Sequence, residues 1–227
     1  MNLEECGLNL FHCDTCNDTG QILWTDENGM LYSRNCECMS RRLSLRRWKQ
    51  SGLDSLIKRC TFESYTAPDN QTAAIKEIAL QYCGSSPAWF YIFGRPGSGK
   101  THICTAMCSR FLQSGDNVQY IVWPDEIGKL KAMKAGDPPD PNYSIELERL
   151  KTTAVLYMDD FMKGKTTAAD MKIAFEILNA RYNNPSLRTI ISSEITPDQI
   201  GDKAIQGRIT ERAREYVVKA PERNWRK

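Results

Sequence analysis

The chain has 227 residues, 41% of them hydrophobic and 26% charged, with a formal net charge of +2. This length holds one α/β domain with a small appendage, and the apolar share supports a sizeable core. No apolar run approaches the roughly 18–20 residues that span a bilayer. The polar start (Asn2, Glu4, Glu5) lacks the basic-then-apolar pattern of a signal peptide. A cytoplasmic protein with no membrane partner is therefore expected.

In chain order, the first signal is Cys13-x2-Cys16 followed by Cys36-x-Cys38. Two close thiol pairs bracketing a short segment suit a structural Zn²⁺ site. Between them, Asp26-Glu27-Asn28-Gly29 is a turn signal flanked by Gln21-Ile22-Leu23-Trp24 and Met30-Leu31-Tyr32, which predicts a β-hairpin. A unit this small buries too little surface to fold alone, so the metal would supply its folding energy. Disulfides are the competing reading. His12 is an awkward substitute ligand because it adjoins Cys13, and Cys6, Cys60, Cys83, Cys104 and Cys108 show no ligand grouping. The last two, one helical turn apart, read as small buried hydrophobes.

Residues 41–59 carry seven Lys/Arg and one acid, and read as one or two basic helices broken near Gly52, then a linker. Residues 203–227 carry eight Lys/Arg and three acids. Such segments suit phosphate backbones, and equally suit solvated faces. Thr61-Phe62-Glu63-Ser64-Tyr65 opens the larger domain, and the stripe Ala74, Ile75, Ile78, Ala79, Tyr82 predicts a helix over 71–83.

The run Trp89–Phe93 predicts a buried strand, and Gly94-Arg95-Pro96-Gly97-Ser98-Gly99-Lys100-Thr101 follows it, matching G-x-x-x-x-G-K-[ST] at every fixed position. Glycines let successive N–H groups turn toward phosphate oxygens, and the next helix adds partial positive charge. Lys100 then reaches the β- and γ-phosphates and Thr101 holds Mg²⁺. A chance Gly-rich turn is the alternative, and the strand–loop–helix setting argues against it.

Beyond a helix to about Gln113, strands are expected at 118–122, 154–158, 188–192 and 216–219, with helices at 125–134, 144–151, 167–183 and 197–213. Alternation of this kind argues for a parallel sheet covered on both faces. Asp159 and Asp160 close an apolar strand, where a first carboxylate holds Mg²⁺ and a second orients the attacking water. Thr189-Ile190-Ile191-Ser192-Ser193-Glu194 is another apolar strand ending in polar groups, and Arg208, Arg212 and Arg214 recur at helical spacing.

With these residues in view, the chain resembles the DnaC/DnaI family of replicative helicase loaders, a branch of the AAA+ ATPases, in the versions carried by Gram-positive bacteria and their phages. CDTC…CEC, TFESY, GRPGSGKTH, YMDDF with the following KGK, FEILNARYNN, TIISSEIT and AIQGRITER carry the resemblance. The related IstB transposition ATPases share the core. The resemblance implies an α/β AAA+ core with a five-stranded parallel sheet, a small N-terminal zinc-binding domain and no C-terminal lid. It divides the chain into 1–40 (zinc knuckle), 41–60 (basic helical linker) and 61–227 (ATPase).

Carried across, Gly94, Pro96, Gly97, Ser98, Gly99, Lys100, Thr101 and His102 would bind ATP, and Thr101 and Asp159 would hold Mg²⁺. Asp160 would activate water. Glu194 stands where related ATPases carry a sensor Asn, and a carboxylate there repels phosphate unless a cation pairs with it. Ser193 is the other sensor candidate. Arg208, or next Arg212, would serve as an arginine finger toward a neighbouring subunit of an open ring or spiral; a solvated helix face is the plainer reading. Cys13, Cys16, Cys36 and Cys38 would hold Zn²⁺. The implied partners are a DnaB-type hexameric helicase and single-stranded DNA. Lys129, Lys131 and Lys134 would meet the DNA backbone, or simply form the wet side of a helix. Trp48 and Trp225, each flanked by Arg, would stack on bases or pack against neighbours. An IstB-like transposition helper, a zinc-containing nucleoside kinase and a module that binds ATP without hydrolysing it are the rival readings.

Overall fold

The computed structural model describes residues 12–39, 42–43, 46 and 54–225. Cys6, Trp48 and most of the basic 41–59 segment lie outside them. The N-terminal unit is an antiparallel hairpin of β1 (Gln21–Thr25) and β2 (Leu31–Asn35). Asp26 sets its turn by accepting hydrogen bonds from the Asn28 and Met30 N–H groups at 3.0 and 2.8 Å. Gly29 supplies the left-handed residue, φ 79°.

The larger unit follows a short helix α1 (Asp54–Arg59). Its elements run α2 (Asn70–Gly84), β3 (Trp89–Phe93), α3 (Lys100–Gln113), β4 (Val118–Val122), α4 (Trp123–Ala135), α5 (Asn142–Thr152), β5 (Val155–Phe161), α6 (Ala168–Tyr182), β6 (Arg188–Ser193), α7 (Lys203–Ala213) and β7 (Val217–Lys219). The strands form one parallel sheet in the order β4-β5-β6-β3-β7. The sheet thus realises the expected five-stranded parallel architecture.

Strand alternation divides the core in two. Phe90 and Ile92 of β3 join Tyr157 and Ile190 on the face covered by α2 and α3. Trp89 and Tyr91 join Leu156, Met158 and Ile191 on the face covered by α4 to α7. Burial on both faces is what the apolar runs demanded. Cys104 and Cys108 of α3 are fully buried in the first cluster, as small hydrophobes.

Two boundaries differ from expectation. The helix expected over 197–213 is split: a short 3-10 turn, Pro197–Gln199, stops at buried Ile200, and Asp202 starts α7 by accepting from the Ala204 and Ile205 N–H groups. β5 runs on past the acids to Phe161 through a bulge, because Phe161 pairs with Ser193 one residue out of step with Met158 and Ile191. One charge lies wholly inside. Arg181 of α6 donates to the Leu150, Thr153 and Arg188 carbonyls and to Thr189 Oγ1, tying α6 to β6 and to the turn before β5. Among the described residues no helix is long and apolar enough to cross a membrane.

Candidate functional site

β3 carries the chain to the carboxyl edge of the sheet, where the Gly94 N–H bonds to Ser193 O at 3.1 Å. The loop then turns through Gly97 and Gly99 at φ 80° and 89°, conformations open to glycine. Gly99 caps α3 without any side-chain bond, so the first amides of that helix keep their donors for an anion. Ser98 Oγ is buried in the loop with no hydrogen-bond partner among the described residues. Lys100 lies across the loop, donating to Gly94 O and Arg95 O at 2.7 and 3.0 Å. Burial lowers its pKa, opposed by Glu194, Asp160 and Asp159. An uncapped helix start, a spare hydroxyl and a buried ammonium in one loop fit a polyphosphate.

Beside the loop stand the acids. Thr101 Oγ1 donates to Asp159 Oδ1 at 3.3 Å, and Tyr120 OH donates to Asp159 Oδ2 at 3.0 Å. Ser192 Oγ also donates to Asp159 Oδ1. Burial, reinforced by Asp159, pushes the Tyr120 phenol well up, so it stays a neutral donor. Three elements (β4, β6 and α3) therefore aim one carboxylate at the Thr101 hydroxyl, a donor set that suits a hard divalent cation such as Mg²⁺. The bulge places Asp160 in the left-handed region, φ 54°. Its carboxylate meets Lys163 Nζ at 2.9 Å, and the same ammonium reaches Glu194 Oε1 at 3.3 Å. Those two acids, and their hydrogen bonds, raise the pKa of Lys163.

Loop and acids share one cavity of about 660 Å³. Pro96, Gly97, Ser98, Gly99, Lys100, Thr101, His102, Asp159, Asp160 and Glu194 all line it. Gly94 lies just behind, against Ala220. The His102 ring is committed to the entrance turn, 3.2 Å from Thr61 O and 3.1 Å from Ser64 Oγ, and burial lowers its pKa. Leu56, Cys60, Tyr65 and Trp225 add apolar and aromatic surface to the lining, beside Arg59, Ser64 and Thr66. Of the two sensor candidates, Glu194 lines the cavity, whereas Ser193 Oγ is buried and donates to Phe161 O.

Sequence reasoning missed four contributors: Tyr120, Ser192, Lys163 and Tyr65. Ser192 and Lys163 lie at or just beyond the carboxyl ends of β6 and β5 and Tyr65 in the entrance turn, an edge that could have flagged them, whereas Tyr120 sits mid-strand in β4, where no sequence signal marks it. Of the two alternatives open for Trp225, the packing one is seen within the chain: it lies beside Gly99, its backbone N–H donates to Gly97 O at 2.9 Å, and the Arg223 guanidinium lies 4.4 Å from its ring.

The cationic candidates are engaged within the chain. Arg208 donates to Asn179 Oδ1 at 3.0 and 2.7 Å and lies over the Phe175 ring; Arg212 donates to Pro185 O. Neither lines the cavity of its own subunit. Lys131 pairs with Asp170 at 2.6 Å, Lys129 with Glu146 at 3.7 Å, and Lys134 lies over Tyr143. Each lysine already has a partner on its own chain, which favours the wet-helix reading.

In the hairpin unit the four expected thiols converge. Cys13, Cys16, Cys36 and Cys38 keep all four sulfurs within 4.8 Å of one another, with pairs at 3.7 and 3.5 Å. Four ligands about 2.3 Å from one Zn²⁺ would stand about 3.8 Å apart, so the set fits a tetrahedral ion. None of the described cysteines forms a disulfide. The Gly20 N–H donates to Cys16 Sγ and Arg42 Nε to Cys38 Sγ, contacts that stabilise thiolates. Burial would raise the Cys16 thiol; the Gly20 N–H and the neighbouring sulfurs outweigh it and bring it to about 6. His12 is not part of the set, since its ring pairs with Asp14 and Asp18.

Comparison with known proteins agrees with this geometry. YqaM of Bacillus subtilis (strain 168) is 30% identical over 205 residues, covering 82% of this chain and 63% of YqaM. The replicative helicase loader DnaC of Escherichia coli (strain K12) is 32% identical over 120 residues, covering 50% of this chain and 49% of that protein. The chain thus spans less than two thirds of the length of either relative. The crystal structure of the DnaC helicase loader superposes with a TM-score of 0.61 at 17% identity, over 71% of this chain and 97% of that one, which establishes a shared AAA+ fold. The family described as IstB-like ATP binding protein matches residues 26–212. A phosphate loop facing a strand-end carboxylate, together with that match, makes this chain a member of the IstB-like family of ATP-binding AAA+ proteins, related to the DnaC and DnaI loaders.

Proposed function

We propose that the chain is an ATPase that loads a DnaB-type hexameric helicase onto single-stranded DNA. The observation that carries the ATPase part is the Thr101–Asp159 hydrogen bond beside an uncapped phosphate loop. It brings a hydroxyl and a carboxylate from two elements to one point. Bound there, Mg²⁺ would neutralise charge on the β- and γ-phosphates. Gly94, Pro96, Gly97, Ser98, Gly99 and Lys100 wrap the phosphates, and His102 braces the entrance turn behind them. The base lies toward Tyr65 and Trp225. Asp160, turned into the cavity by the bulge, orients the attacking water.

The loader part rests on kinship with a protein named a replicative helicase loader. In this reading residues 1–40 are the zinc-held unit that meets the helicase, 41–60 the linker and 61–227 the motor. Subunits associate in an open ring or spiral, and Arg208 leaves Asn179 to reach a neighbour's γ-phosphate. ATP favours helicase binding, and hydrolysis accompanies release. An IstB-like transposition helper is the second reading, favoured by the description of the matching family.

Affinity purification with and without ATP, from cells holding both a DnaB-type helicase and a transposase, separates the two. ATP-dependent retention of the helicase, with ATP turnover stimulated by single-stranded DNA and lost in Asp160→Ala, supports the loader. Retention of the transposase alone overturns it in favour of the helper. Turnover unaffected by Asp160→Ala removes the proposed mechanism.

A further inference from the structure

The acid end of the cavity holds three carboxylates, Asp159, Asp160 and Glu194, against two ammonium groups, Lys100 and Lys163. Thr101, Tyr120 and Ser192 account for Asp159. That leaves Asp160 and Glu194 facing the place where the far end of a triphosphate arrives. Two like-charged groups there would oppose the very phosphate that distinguishes ATP from ADP. Lys163 answers both of them.

Its position is built. The bulge sets Asp160 at φ 54°, Met162 follows at φ 57° and Gly164 at φ 83°. Left-handed non-glycine residues cost backbone energy and persist only where the surroundings hold them. Here Phe161 and Met162 are buried anchors, and the Lys163 N–H closes the turn on Asp160 O at 3.1 Å. The turn throws the Lys163 side chain back over the strand ends, where its Nζ meets Asp160 and Glu194 at 2.9 and 3.3 Å. An ammonium has three N–H donors. The two carboxylates take two of them, and the third remains for a phosphate oxygen.

We propose that Lys163, held by Asp160 and Glu194, is the specificity-determining residue that makes this site prefer ATP over ADP. Glu194 aims the ammonium instead of sensing the phosphate itself. A carboxylate at this strand end is then compatible with a triphosphate, because it arrives already paired. The inference rests on the reading that nucleotide lies in the Gly94–Thr101 cradle with its terminal phosphate toward β5 and β6.

The test is equilibrium binding of Mg-ATP and Mg-ADP to the full chain and its variants, with a thermal melt confirming that each is folded. Lys163→Met should weaken ATP by about tenfold or more and ADP by less than about twofold. Lys163→Arg should keep the discrimination. Combining Lys163→Met with Glu194→Gln should recover part of the ATP affinity, because it removes the stranded carboxylate. Equal weakening of ATP and ADP, or no change in either, overturns the proposal. The cradle itself is checked separately. Wild-type protein that fails to bind ATP, or Lys100→Ala that binds as wild type does, would reject the underlying site rather than the role of Lys163.

Discussion

The hairpin unit and the α/β unit of this chain are held together by opposite means. In the hairpin the large apolar side chains face water: Leu23 is 61% exposed and Leu31 67%. Trp24 and Tyr32 stack on each other across the strands, not into a core. The thiol cluster with its N–H donors, the Cys36 N–H on Gly20 O and the Arg42–Asp18 ion pair tie the ends together. In the α/β unit, Trp89, Phe90, Tyr91 and Ile92 are at most 1% exposed, and the sheet is packed on both faces. One region is thus built around a four-thiol cluster and the other around buried apolar packing, so the two are expected to fail independently.

The strongest attack on that contrast is chelation. Removing Zn²⁺, or replacing Cys13 and Cys16 by Ser, should unfold the hairpin outright, since structural zinc contributes on the order of 10 kcal/mol in small units. Hydrogen exchange should show protection lost over 13–38 and kept in β3 to β6. Purified protein without bound metal would break the comparison. Next is Arg181→Met, which strands several buried carbonyls and should cost the α/β unit about 3 kcal/mol or more in a denaturant melt. Hairpin exchange should not change.

Smaller effects sharpen the picture of the core as a rigid scaffold for its site. Lys100→Ala should weaken ATP by about a hundredfold, through lost charge-assisted bonds, while the melting temperature holds. Trp225→Ala should weaken ATP by about tenfold or less and leave inorganic tripolyphosphate unaffected, as expected of a wall for the base. Ser192→Ala should slow Mg-dependent turnover by about threefold, because Asp159 keeps its bonds to Tyr120 and Thr101. A larger loss would mean that Ser192 does more than orient Asp159.

Much of the scaffold was legible because its signals are local. The apolar runs at 89–93 and 118–122 bound their strands to the residue, and the glycine pattern marks the loop between β3 and α3. The thiol spacing likewise reveals a four-thiol cluster closed across a hairpin. What could not be read depends on contacts between elements distant in sequence. Ser192 lies 33 residues from Asp159 and Tyr120 lies 39, and no spacing rule joins them. The bulge at Asp160 follows from the pairing of Phe161 with Ser193, and without it Lys163 would not reach Glu194. Arg181 looks in sequence like one more helical arginine; only the fold shows it wholly buried.

The segment after β7 has a practical consequence. Ala220 presses on Gly94, Asn224 on Gly97 and Trp225 on Gly99, so a stretch of six residues runs along the phosphate loop like a strap. Any insertion or handle placed close after Trp225 would tug on the bond from its backbone N–H to Gly97 O. A preparation altered there would report the strength of that tether along with the affinity for nucleotide, and a handle far from the strap avoids the confusion.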